Sequence, residues 1–251
     1  MLRKASLKER KEFYERDFDL NKVKKWFRRK PQFFVLDLGT DTKIIKDKKK
    51  LKKLIILKPN TSYEELKTKL IELSPEDVYY DRNLYKDLKK INKKTNFHKA
   101  LLSDNCLGQE LAFDIDPENI KCPNCGKRSS TEKYCKICIN MSLILGLELK
   151  KFLKNYFKEI VIIYSGRGCH VHVRDKKAFK MSQEKRKELN LKLRRLKIDP
   201  WVSHGPIRLI RLPYSLNSLV SRIVIPLKDD EIRNFDVNKN KKIMPSFLKK
   251  Q

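Results

Sequence analysis

The stretch Leu111-Ala112-Phe113-Asp114-Ile115-Asp116 limits what this chain can fold into more than any other. Leu111, Phe113 and Ile115 recur at every second position, the period of a β-strand with one buried face. Asp114 and Asp116 then share the opposite face, their Cα atoms about 7 Å apart by the rise of a strand. Two carboxylates so spaced can hold divalent cations between them, as a two-metal phosphoryl-transfer site requires. Pro117 ends the strand, and a cysteine pair follows closely. A bare D-x-D also occurs on solvated strand edges, in glycosyl transferases and in nucleases, so the neighbouring motifs decide its meaning.

The chain is long enough for one domain, or for one domain with a small insertion. It carries 60 Lys and Arg against 31 Asp and Glu, a formal charge of +29. Such an excess repels itself unless a polyanion is the usual companion, and nucleic acid is the first candidate. Lysine is spread along the whole sequence, from Lys48-Lys49-Lys50 to Lys241-Lys242, so part of the charge belongs to solvated faces. Residues Met1 to Asp17 are dense in charge and lack the apolar core of a signal peptide. No apolar run approaches the roughly 20 residues that span a bilayer. A cytoplasmic location with no membrane partner is expected.

Cys122-Pro-Asn-Cys125 and Cys135-Lys-Ile-Cys138 are two C-x2-C turns separated by nine residues. Each turn can place two sulfurs on one cation, and zinc favours four thiolates in a tetrahedron. Four protein ligands leave no open position, so Cys122, Cys125, Cys135 and Cys138 predict a structural zinc site in a small insertion over 119–141. This usage suits a reducing compartment. Cys106 and Cys169 stand apart and are expected to be ordinary buried thiols.

Coarse patterning predicts a helix over Leu7–Arg29 and strands over Phe33–Leu38 and Leu54–Leu57. Thr61-Ser62-Tyr63-Glu64 opens a helix that runs to about Leu73. Val78–Tyr80 reads as a short strand and Leu88–Ser103 as a polar connection. After the cysteines come a helix over Met141–Phe157, strands over Val161–Tyr164 and Cys169–Val173, and a basic helix over Gln183–Arg195. Ile207–Leu212 and Arg222–Leu227 read as two final strands, and the tail from Asn238 as loose. The fold class is α/β or α+β, with most of the sheet expected in the second half.

Between two of these strands lies Tyr164-Ser165-Gly166-Arg167-Gly168-Cys169-His170. Its glycines let the backbone approach an anion, Arg167 offers a forked phosphate donor, and Ser165 adds a hydroxyl. A hairpin that merely needs glycines would look similar. His170, His172 and Arg174 share one strand face; His170 is the better phosphate ligand and His172 reads as a surface residue. Asp199, before Pro200, would by itself be a turn acid. Arg208 and Arg211 fall on opposite strand faces, so one of them at most points toward the acids.

Taken in order, these pieces resemble the catalytic small subunit of the archaeo-eukaryotic primase family. The resemblance rests on Phe113-Asp114-Ile115-Asp116, on Ser165 to His170, and on Asp199 followed by Arg208-Leu-Ile-Arg-Leu-Pro-Tyr-Ser215. Val78-Tyr79-Tyr80 with Leu84-Tyr85, and the cysteine motif between the first two segments, also look like archaeal members. It spans roughly Phe13 to Leu227. The loop from Ser165 to His170 is one residue shorter than usual there, and Asn217 stands where that family commonly has histidine.

The resemblance implies a primase-polymerase catalytic fold: a mixed central sheet, flanking helices and a zinc-binding insertion, in a single catalytic domain over 1–251. It implies that Asp114, Asp116 and Asp199 hold two Mg2+ or Mn2+ ions. Ser165, Arg167, His170, Arg211 and Asn217 would contact the incoming nucleotide, and Tyr80 and Arg82 lie in the region that meets the ribose. The implied activity is primer synthesis from nucleoside triphosphates on a single-stranded DNA template. A primase large subunit, or a remnant of its iron–sulfur domain, is the implied partner. A polymerase that only extends or fills gaps, a decayed zinc nucleic-acid binder and a metal-dependent nuclease are the rival readings.

Overall fold

The computed structural model describes residues 2–39, 54–91, 105–120, 122, 135–203 and 209–249. Its strands run, in chain order, β1 Phe34–Asp37, β2 Leu54–Ile56, β3 Asp77–Asp81, β4 Asn83–Tyr85, β5 Cys106–Gln109 and β6 Leu111–Ile115. They continue as β7 Ile160–Tyr164, β8 Cys169–Val173, β9 Leu209–Arg211, β10 Leu216–Asn217, β11 Arg222–Ile223 and β12 Ile225–Leu227. The chain divides into two compact units: 1–81 with 209–225 and 238–251, and 82–208 with 226–237.

The first unit holds a four-stranded sheet in the order β2-β1-β3-β9, antiparallel at each pairing. β1 is buried along its whole length, and the antiparallel pair β10–β11 completes the strands. Tyr63–Leu73, whose N-cap Ser62 accepts from the Glu65 amide, packs with the N-terminal helical segments, buries Leu66 and Leu70, and reaches β1 through the Tyr63–Phe34 ring pair. The expected helix over Leu7–Arg29 is instead three pieces. An α-turn over Leu7–Glu12 widens into a π-turn over Phe13–Asp17, and a new helix starts at Leu20. Phe18 is extended and Asp19 caps the Lys22 amide, which lets Phe13, Tyr14 and Phe18 pack edge-on in the core. The tail is not loose: Ile243 and Phe247 are buried, and the Ser246 amide donates to Asp17.

The second unit holds the sheet β12-β7-β8-β6 and the ladder β4–β5, which the sequence patterning missed. Lys136–Leu153 lies on this sheet and buries Cys138, Ile139, Leu143, Leu149 and Leu153. A Cβ added at Gly146 would stand 2.4 Å from Cys169 Sγ on β8, so the helix approaches the sheet at a residue with no side chain. Strand content is thus shared between the halves, four strands to each principal sheet, not concentrated in the second. The expected strand over Arg222–Leu227 is also two strands, β11 and β12, in different sheets.

Candidate functional site

β6 and β8 pair so that Asp114 lies opposite His170 and Ile115 opposite Cys169. The acids therefore emerge at one end of the sheet beside the loop that joins β7 to β8. That loop is closed on itself: the Ser165 amide donates to Gly168 O at 3.1 Å, and the Gly168 amide donates to Ser165 Oγ at 3.1 Å. Tyr164 OH donates to Gly166 O. A Cβ at Gly168 would come within 2.7 Å of Ile115 O and 3.4 Å of Asp116 Oδ1, so only glycine lets the loop press against the end of β6. The outcome is a basic side chain beside each acid. Arg167 Nη2 is 3.6 Å from Asp116 Oδ2, and His170 Nε2 is 3.6 Å from Asp114 Oδ1. Ser165 is buried, with its oxygen engaged in the turn.

Asp199 is 85 positions beyond Asp114, yet its amide donates to Asp114 O at 2.8 Å. It precedes the short helix Pro200–Ser203, whose Ser203 Oγ donates back to Asp199 O. Asp114, Asp116, Asp199, Ser165, Arg167 and His170 thus belong to one unit. Arg211 and Asn217 belong to the other. There Arg211 forms a two-pronged pair with Asp77 and lies over the Tyr79 ring, while Asn217 is buried opposite Arg222. Arg208 lies outside the described residues.

The second unit is braced beside the acids by side chains whose buried, bonding roles sequence patterning did not give. His172, read as a surface residue, is fully buried with Nδ1 2.8 Å from Glu110 Oε1. Alternation puts Glu110 on the same face of its strand as Asp114, which is why the buried histidine finds an acid there. Arg82 is buried too; its Nη1 donates to Glu110 O at 2.8 Å and its Nη2 to Val202 O at 2.6 Å. One guanidinium therefore ties the start of β6 to the helix that follows Asp199. Arg186 donates to Gln109 O and Ala178 O, and burial, with the Arg82 charge adding, lowers its pKa to about 10. Cys169, fully buried under the site, has its thiol pushed up by burial and by the Asp114 charge.

The sulfurs of Cys122, Cys135 and Cys138 lie within 4.8 Å of one another; Cys125 lies outside the described residues. Tetrahedral zinc with Zn–S near 2.3 Å sets sulfurs roughly 3.8 Å apart, so this set can hold it with small movements. Cys135 caps Lys136–Leu153, and Cys138 sits one turn inside it. Among the described residues these cysteines are the set that converges so tightly, whereas Asp114 and Asp199 are joined through the main chain. Acidic oxygen donors of this kind suit Mg2+ or Mn2+. Cys106 is half-buried, Cys169 fully so.

This arrangement, acids at a sheet end beside a basic loop, sits on a primase-polymerase fold. The polymerase domain of Mycobacterium tuberculosis ligase D, solved in complex with DNA, superposes with a TM-score of 0.51 at 10% identity, covering 91% of this chain and 81% of that one. The DNA primase small subunit family model matches residues 113–195. An Archaeoglobus fulgidus protein described as an uncharacterized DNA primase small subunit-like protein is 38% identical over 98% of this chain and 92% of its own length. The chain belongs to the DNA primase small subunit family. Against the small subunit PriS of Thermococcus onnurineus it is 33% identical over 33% of this chain, and against that of Pyrococcus abyssi 25% over 57%. Those matches span 25% and 44% of the two PriS proteins. No helix among the described residues is long and apolar enough to cross a membrane.

Proposed function

We propose that the chain is a template-directed nucleotidyl transferase that makes short primers from nucleoside triphosphates. The observation that carries this reading is the main-chain bond from Asp199 to Asp114, which brings the third acid to the strand end where Arg167 and His170 already stand. Asp114, Asp116 and Asp199 would hold Mg2+ or Mn2+. Such ions, when bound, acidify a 3′-hydroxyl and offset charge on the departing pyrophosphate. Arg167 and His170 receive the triphosphate, the guanidinium as a fork and the imidazole as a single donor. Ser165 shapes the loop that carries Arg167 and adds its hydroxyl.

The two units act as one catalytic domain over 1–251, with 119–141 as a zinc-binding insertion held by Cys122, Cys125, Cys135 and Cys138. Exposed lysines hold template and primer by their phosphates, without reading sequence. Because two nucleotides must be held before any duplex exists, a large-subunit partner is assigned to initiation.

Asp114→Asn is expected to lower nucleotide incorporation at least a hundredfold while folding and zinc content stay unchanged. Labelled nucleotide incorporation with Mn2+, on templates with and without a primer, checks this. Retained synthesis by the variant would sink the assignment. Synthesis only on primed templates would replace primer making by extension, and shortening of the strands would replace it by nuclease action.

A further inference from the structure

Arg167 is divided between two carboxylates, and the two contacts are unequal. Nη1 donates to Glu118 Oε1 at 3.0 Å, a charge-assisted hydrogen bond. Nη2 is 3.6 Å from Asp116 Oδ2, too far for one. Both sides of this bridge are anchored. Asp116 and Glu118 flank the buried Pro117 at the start of a 3-10 turn, which the Asn119 amide closes on Asp116 O at 3.0 Å. Arg167 is rooted in the self-closed loop that Gly168 seats against Ile115 O.

A guanidinium beside a single aspartate closes into a bidentate pair and neutralises it. Such a pair on Asp116 would compete directly with a cation for the same oxygens. Glu118 supplies a second acid two residues on, at the distance that takes the better of the two bonds. We propose that Glu118 is a positioning residue: it draws Arg167 off Asp116, so that Asp116 stays available to a divalent cation while the guanidinium remains at the site. This rests on the reading of Asp116 as a metal ligand.

The Glu118 side chain is 39% exposed, and a partly exposed ion pair contributes little to stability, so its carboxylate can be removed with little effect on folding. The test is Mn2+ binding to the full chain without nucleotide, followed by the electron paramagnetic resonance of free Mn2+. The proteins compared are wild type, Asp116→Asn, Glu118→Gln, Arg167→Gln and the Glu118→Gln/Arg167→Gln double variant. Glu118→Gln is expected to weaken Mn2+ binding about fivefold in the wild-type background and less than twofold where Arg167 is already gone. Equal weakening in both backgrounds would mean that Glu118 acts by its charge alone, and would overturn the proposal. So would unchanged binding by Glu118→Gln. If wild type takes up no Mn2+, or Asp116→Asn takes it up unchanged, the metal reading of Asp116 falls as well.

Discussion

At the scale of single residues, the start of the first helix shows how a few charges are paired locally. Ser6 opens the first helix with a capping box: its hydroxyl accepts from the Glu9 amide while Glu9 Oε2 accepts from the Ser6 amide. Arg3 adds a fork at 2.9 and 2.6 Å. That fork, assisted by the Ser6 bonds, holds the Glu9 carboxyl down at about 2, well below its ordinary value. A carboxyl depressed on folding stabilises the fold above its unfolded pKa, and that share is lost as pH falls through the folded one. Glu9 therefore contributes fully above about pH 4.5 and fades toward pH 2. An NMR titration of the Glu9 carboxyl should show a midpoint near 2 that climbs toward 4.5 in Arg3→Ala. A midpoint unmoved by that substitution would assign the depression to the helix cap alone. Buried Arg82 and Arg186 show why such roles escape sequence reading. In a chain with 60 basic residues, two that donate to buried carbonyls look like the rest.

At the scale of elements, contact between Lys136–Leu153 and β8 is set by one pair, Gly146 and Cys169. Alanine at 146 gains helix propensity, worth up to about 1 kcal/mol. Its methyl would meet a fully buried sulfur whose single torsion gives it nowhere to go. Gly146→Ala is thus expected to destabilise by about 1–2 kcal/mol in urea denaturation, and Cys169→Ala in the same chain to recover most of the loss. Strictly additive effects would show that the two residues do not share that space. Periodicity revealed β6, β7, β8 and the Ser62-capped helix because each is long enough to show its repeat. It missed β4 and β10 and ran β11 into β12, pieces of two or three residues with no repeat of their own, whereas the equally short β2 and β9 showed as apolar runs. It failed again at Phe18, where aromatic packing overrides a helical pattern.

At the scale of the whole molecule, the formal charge of +29 makes the proposed hold on DNA an electrostatic one. For roughly five phosphate contacts to a single strand, raising salt from about 0.1 to 0.2 M should weaken binding about tenfold, with little dependence on sequence. Titration of a labelled oligonucleotide at several salt concentrations checks this, and a flat response would deny the phosphate grip. The site itself was only partly legible. Asp114, Asp116 and the Ser165–His170 loop can be read locally, because strand alternation and glycine placement are local properties. Asp199 cannot, since its link to Asp114 crosses 85 positions and runs through the backbone, which no side-chain pattern reports. Only the order of motifs, set beside a family, made it a candidate.

The register of β3 and β9 has a topological consequence. Asp81 faces Leu209 across that antiparallel pair, and between those two positions the chain leaves to build nearly all of the second unit. Departure and return are therefore the two ends of one rung, about 5 Å apart. In effect 82–208 is spliced into the bend of a hairpin whose two ends one ladder pins together, while the sheet it builds takes its edge strand β12 from chain that follows the return.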